Sequence, residues 1–471
     1  MKHDRFNSID PQWAWAPFEP SQERPWDLAL AGHLYRRAAF GASYAELQAA
    51  VMAGPQTTVD RLLQGGKGQE AFHRECQIMA QAIEAQADDV PLRAWWLYVM
   101  LNTPHPLQEK LTLFWHNHFA TSQAKVNNVA YMLGQNQLLR QHAMGKFGPM
   151  LQAISKDPAM LVWLDTIESK KGKPNENYAR ELMELFSLGI GHYTETDIRQ
   201  AARAFTGWEI KQNRFFFNRS QHDEGSKTVF GQTGSFVGED IVRICLSQTA
   251  CAPFIVRKLI RAFVSETLTA NDALIAPLTK KFRESDYDIR QVVEMMLRSN
   301  LFFSKHAYRA RVKSPTELGV GMVRSLEGHV GTLGLAQAME NLGQKLFFPP
   351  SVKGWDGGTH WLNSTTLLQR QNFAQAITST EDQRFGRRCD PARLPKRYNI
   401  PEQDDAAVVQ FFLELFVQND LPDEARHKLH HYRTESARHR YPPFWTEQDV
   451  REHRLRTLAY LVMTQPEYQL D

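Results

Sequence analysis

The stretch Leu107–Ser122, LQEKLTLFWHNHFATS, places a titratable group where an apolar one belongs. On a helix, His118 falls on the stripe of Leu107, Leu111 and Phe114. An imidazole on an apolar face must find a partner. It suits either a core histidine bonded to a carbonyl or carboxylate, or a proton-transfer site. His116 points about 160° away, beside Glu109, and is expected at the surface. The two cannot grip one metal ion from a regular helix, which needs a spacing of three or four residues.

Pro174–Gly189, PNENYARELMELFSLG, carries the carboxylates. Asn175 can cap a helix whose first turn holds Glu176. Glu176 with Arg180, and Arg180 with Glu184, have ion-pair spacing. Tyr178, Leu182, Leu185 and Phe186 form its apolar face, while Asn177, Glu181 and Glu184, with Leu188 among them, share the opposite sector. That sector is either a solvated face laced by ion pairs or the wall of a cleft. Paired carboxylates in a cleft would supply a general acid and base, or hold a hard cation. The pattern specifies no metal and no cofactor. A third polar group is His222-Asp223-Glu224-Gly225-Ser226-Lys227, which reads as a turn or as a loop site. A fourth is the loop Gly354–Trp361, where Trp355 and Trp361 can stack on sugar rings or anchor the loop, and Asn363 can cap the next helix.

The elements that must position these residues are mostly helices. Residues 1–26 form an aromatic N-terminal arm with Trp13, Trp15, Phe18 and Trp26. Its prolines keep it non-helical, and it is expected to lie across the body. Residues 27–380 read as a helical core, with Ser43 as an N-cap and Gly189 and Gly207 as helix stops. Arg214–Asn218 and Lys227–Gly231 are short, aromatic and β-branched, and are expected to pair as one hairpin across the turn between them. Residues 381–471 form a polar linker and a helical region packed on that core. The fold class is mainly α, a large multi-helix globular body with a small inserted β-hairpin.

Composition excludes several functions. With 55 basic and 52 acidic side chains, the chain has no overall field for nucleic acid. The four cysteines form no CxxC pair and are expected as buried thiols in a reducing compartment. No stretch of about 20 residues is free of charge, so no membrane span is expected. The N-terminus lacks an apolar export core, which points to the cytoplasm. No phosphate-binding loop, dinucleotide fingerprint or nucleophile elbow is present.

In chain order, HLYRRAAFGAS, LTLFWHNHFATS, NENYARELMELFSLGIGHYTETDIRQAARAFTGW, HDEGSK, VRKLIRAFVS, FFPPSVKGWDGGTHWLNSTTLLQR and LAYLVMTQPEYQL resemble a bacterial family catalogued as domain of unknown function 1800. The resemblance spans roughly residues 30–471 and brings no established reaction. It implies a shared process with a sulfatase-like protein, and it implies an export signal that this N-terminus does not show. Carrying the motifs over residue by residue gives His118, Glu181, Glu184, His222 and Asp223 as candidate catalytic residues. Asn175, Glu176, Asn177, Lys227, Trp208, Trp355, Trp361 and Asn363 are the corresponding candidates for binding substrate. Two functions are then open. One is an acid–base or metal-assisted hydrolase acting on a polar substrate such as a saccharide. The other is a non-catalytic helical binding or assembly protein. Convergence of His118, Glu181, Glu184 and His222 in one cleft would favour the enzyme, and their scattering, each in its own ion pair, the scaffold.

Overall fold

The computed structural model describes residues 9–86, 88–267, 271–382, 385, 389–435 and 441–471. Helices dominate, from Leu28–Ala38 to Glu447–Met463. Their starts follow local chemistry. Ser43, Thr194, Ser314 and Thr446 each accept an N–H from the acid three residues on, and that acid returns the bond. These reciprocal boxes satisfy backbone donors that a helix start leaves orphaned.

Strand, among the described residues, is confined to two small antiparallel sheets. They are β1 (Trp208–Lys211) with β2 (Arg214–Phe217), and β3 (Lys227–Val229) with β4 (Gln232–Gly234). The expected pairing of 214–218 with 227–231 is therefore replaced by two hairpins, each strand folding back on its own neighbour. The reason lies in the turns. Gln212 and Asn213 have φ of 52° and 61°, and Phe230 and Gly231 have φ of 48° and 76°. Two successive left-handed residues make the tight turn whose twist matches paired strands.

The N-terminal arm contains a helix that its prolines were expected to forbid. Asp10 caps Pro11–Trp15, and Pro11 takes the first position, where its missing N–H costs nothing. Beyond it the chain lies across the body: Phe18 N–H donates to Arg298 O at 2.7 Å and Trp15 Nε1 to Leu274 O at 2.6 Å. Residues 1–8 of the arm lie outside the described residues.

The interior has two apolar clusters. One gathers Trp115, Phe119, Phe147, Tyr178, Phe186, Phe205 and Trp208. The other gathers Trp96, Phe347, Phe373, Phe412, Leu458 and Val462, so helices near the C-terminus enter the same core as residues 92–100. The helix Pro106–His118 runs between them, giving Leu107, Leu111 and Trp115 to the first and Leu113 to the second. This overturns the surface reading of His116, which is 1% exposed and packs edge-on to Trp96 at 5.0 Å. A helix apolar on two sides leaves no solvated sector for it. All four cysteines are buried and free.

Asp157 gives the interior a pH dependence. Its buried carboxylate accepts from Gln135 Nε2 at 2.7 Å and Met160 N–H at 2.9 Å, yet burial pushes its pKa up to about 7. A carboxyl raised in the folded state contributes most below its unfolded pKa of about 3.9 and loses that contribution as pH rises through the folded value. Asp157→Asn keeps the cap and removes the titration. It is expected to be more favourable relative to wild type at about pH 8 than at about pH 5 in urea unfolding, with a ceiling of about 3 kcal/mol. An equal difference at both values would refute the assignment.

Candidate functional site

The acidic helix begins one residue later than its sequence suggests. Asn175 Oδ1 accepts the Asn177 N–H at 2.9 Å, and Asn177 Nδ2 reaches Asp165 Oδ2 at 3.3 Å. A short α-helix, Asn177–Glu181, then widens into a π-turn over Leu182–Ser187. Glu176 pairs with Arg180 at 3.2 Å as expected. The expected partner of Arg180 on its other side, Glu184, is replaced by Glu195 at 2.8 Å. Glu184 lies in the wider turn and accepts the Tyr193 hydroxyl at 2.6 Å instead. The same change of pitch takes Leu188 out of the polar sector and buries it. Burial first, and then the neighbouring Glu184, raise the Glu181 carboxyl above its ordinary range, while Arg180 and then Lys353 act in the opposite direction.

The end of the π-turn presents two carbonyls to side chains. His118 Nε2 lies 3.1 Å from Phe186 O, and Lys258 Nζ donates to Leu185 O at 3.1 Å. A helix C-terminus carries orphan carbonyls and a partial negative charge, which favour donors there. With Nε2–H donating to Phe186 O, the His118 Nδ1 lone pair is free to accept from Lys258 Nζ, also at 3.1 Å. Burial, and then the charge of Lys258, hold the imidazole well below its usual pKa. Burial, and then Arg261, bring the Lys258 ammonium down to about 8. The pair is thus a neutral histidine holding a lysine that titrates near physiological pH. Removing His118 leaves the buried Phe186 carbonyl without its donor. His118→Ala is therefore expected to destabilise the fold by about 1–3 kcal/mol in chemical denaturation, and unchanged stability would contradict the burial.

Lys258 belongs to the helix Cys251–Phe263 and faces a cleft of about 290 Å³. Asn117, His118, Glu266, Lys353, Trp355 and Trp361 are among its walls. A second, wider groove of about 1050 Å³ lies along Glu184, Phe254 and Arg257 and also reaches Lys258. The glycine-rich loop is clamped onto the first cleft at both ends. Asn117 Oδ1 accepts the Trp355 N–H at 2.7 Å while its Nδ2 donates to Trp355 O at 3.2 Å. Gly354, with φ +80°, lies so close that a Cβ would fall 2.1 Å from Asn117 Oδ1. Glu266 accepts the Gly358 N–H at 3.2 Å and faces Arg311 at 3.4 Å. Arg311 and Lys110 converge on Glu317, at 3.3 Å and 2.5 Å.

The structure therefore gathers His118, Glu184, Trp355 and Trp361 around Lys258, with Glu181 beside Glu184. It places the HDEGSK turn elsewhere. His222 Nδ1 bonds Thr206 O at 2.9 Å, Asp223 pairs with Arg203 at 2.7 Å, and Lys227 Nζ donates to Gly225 O at 3.0 Å. These bonds close the turn on the helix Glu195–Ala204, and among the described residues no bond or ion pair joins it to Glu181 or Glu184. Trp208 is fully buried between Phe205 and Phe215. Asn363 caps the helix Ser364–Thr378 through the Thr366 N–H at 2.9 Å. Lys258 itself went unselected in the sequence, although VRKLIRAFVS is one of the segments that carry the family resemblance. Among the described residues no group of three or more His, Cys, Asp or Glu is placed to hold a metal ion, and no helix is long and apolar enough to cross a membrane.

No curated protein and no solved structure matches the chain. The model of one family, described as "Protein of unknown function (DUF1800)", matches residues 33–470. Nearly the whole folded chain, including every residue around Lys258 described above, falls within that match, and the chain belongs to this family.

Proposed function

We propose that the protein is an acid–base enzyme of hydrolytic type acting on a polar, hydroxyl-rich substrate such as a saccharide, with Lys258 as its general base. The observation that carries this reading is the contact of Lys258 Nζ with His118 Nδ1 at 3.1 Å on the wall of a polar cleft. A general base works best when its pKa lies near the operating pH. An amine brought down to about 8 is substantially neutral there and has a lone pair to take a proton from water or a substrate hydroxyl. The ammonium so formed donates to His118 Nδ1 and Leu185 O, which hold it in place. His118 is a positioning residue in this scheme, because its own proton is committed to Phe186 O. Glu181 walls neither cleft and takes no part in this step. Trp355 and Trp361 offer apolar wall for sugar C–H faces. The sulfatase-like partner suggested by the family resemblance fits a substrate of this class.

The test is release of reducing ends from a panel of neutral and acidic polysaccharides by wild type and Lys258→Met. Release by wild type that Lys258→Met lacks supports the proposal. Release retained by Lys258→Met removes Lys258 from the role. Binding without release from any member overturns the hydrolytic reading in favour of a non-catalytic binding protein.

A further inference from the structure

We infer that the substrate is an extended acidic polysaccharide, laid lengthwise along the helix Cys251–Phe263 so that Lys258 meets it in mid-chain. This deepens the acid–base reading above and rests on it. The outer groove is walled by Ala250, Pro253, Phe254 and Arg257, and the inner cleft by Arg261 and Ala262, while Lys258 lines both. Those positions recur every three or four residues and so form one helix face. Ala250 to Ala262 spans roughly 18 Å at the helical rise. The two hollows thus follow one another along that face, and Lys258 is the residue they share. A small, single-unit substrate has no use for binding surface on both sides of the base. A chain that is bound on both sides does.

The charge pattern selects the chemistry of that chain. In the outer groove the cations are engaged: Arg257 pairs with Asp272, and Lys280 lies 3.8 Å from Glu284. In the inner cleft Arg261 and Lys353 have no ion-pair partner among the described residues and are exposed. They are poised for anionic groups on a ligand. Carboxylates are interspersed with them, Glu184 on one side of Lys258 and the exposed Asp356 on the other. A polymer with a phosphate at every unit would meet those carboxylates as like charges. A glycan with spaced acidic groups offers them hydroxyl donors instead.

The test is calorimetric titration with oligosaccharides of two and eight residues in which a uronate alternates with a neutral sugar, on the Lys258→Met protein so that no chain is cleaved. The octamer is expected to bind at least about tenfold more tightly than the dimer, roughly 1.4 kcal/mol. The double change Arg261→Ala with Lys353→Ala is expected to cost a similar factor, with the difference shrinking as salt rises. Equal affinity for dimer and octamer overturns the groove. An oligonucleotide of equal charge that competes as well as the octamer overturns the saccharide class. The two readings fail separately. An ordinary lysine pKa at position 258 with length-dependent binding removes the base and leaves the groove. A lowered pKa without length dependence removes the groove and leaves the base.

Discussion

Lys258→Met is expected to lower turnover by about 100- to 10,000-fold, the range a single general base contributes, while leaving a folded protein. Methionine matches the lysine stem and removes a charge that the site already disfavours, so the packing against Phe254 survives. Two acceptors, His118 Nδ1 and Leu185 O, lose a donor, which limits the cost to stability to about 1–3 kcal/mol. The informative comparison is Lys258→Arg. Arginine keeps a cation in the cleft but stays charged at any pH the protein survives, so it cannot accept a proton. It is expected to fail as fully as Met. Activity retained in Lys258→Arg would show that the site needs only a positive charge. In wild type the rate should rise with pH through about 8 and then level, because the active form is the neutral amine.

Glu317→Gln is expected to destabilise the fold by about 3–5 kcal/mol, the cost of leaving buried charges without their partner. Glu317 is 5% exposed and holds Lys110 Nζ at 2.5 Å and Arg311 Nη1 at 3.3 Å, with a further bond from the Ser314 N–H at 2.8 Å. Burial alone would raise its carboxyl, but Lys110 and Arg311 outweigh that and hold it well below the usual range. A depressed carboxyl contributes its stability above the unfolded pKa and loses it as pH falls through the folded one. The loss in Glu317→Gln should therefore be full at neutral pH and shrink in acid, below about pH 4. Urea denaturation at about pH 7 and about pH 3 checks both statements. A loss under about 1 kcal/mol at neutral pH would mean that water reaches the pair and screens it. Because Lys110, Arg311 and Glu317 also line the cleft, the same change should loosen the wall opposite Lys258.

Sequence patterning reached some of this and missed the rest for identifiable reasons. His118 stood out because a polar group on an apolar stripe is a local anomaly, and its partner did prove to be a buried carbonyl. His116 was misread because the helix was taken to have one apolar face, whereas it separates two cores. The π-turn has no composition of its own: Leu182–Ser187 fits an α-helix equally well, so the shift that frees Leu185 O and Phe186 O could not be read. Lys258 looks like one more cation on a basic amphipathic helix. Only packing against that π-turn distinguishes it from Arg257 and Arg261, and packing between residues 185 and 258 is a tertiary fact. The HDEGSK turn shows the opposite error. Its crowded charges suggested chemistry, but Arg203, Thr206 and the turn's own carbonyls absorb them.

The central claim is that His118 and the end of the π-turn hold a lysine of lowered pKa, and the pH dependence of its acylation measures that directly. Wild type is treated briefly with an amine-acylating reagent across about pH 6 to 11, and the fraction modified at Lys258 is read by peptide mass spectrometry against exposed lysines such as Lys353. The account requires Lys258 to label with a midpoint near 8. His118→Ala should move that midpoint further down, since the lost acceptor favoured the charged form. A midpoint for Lys258 that coincides with those of the exposed lysines, in wild type and His118→Ala alike, would contradict the account.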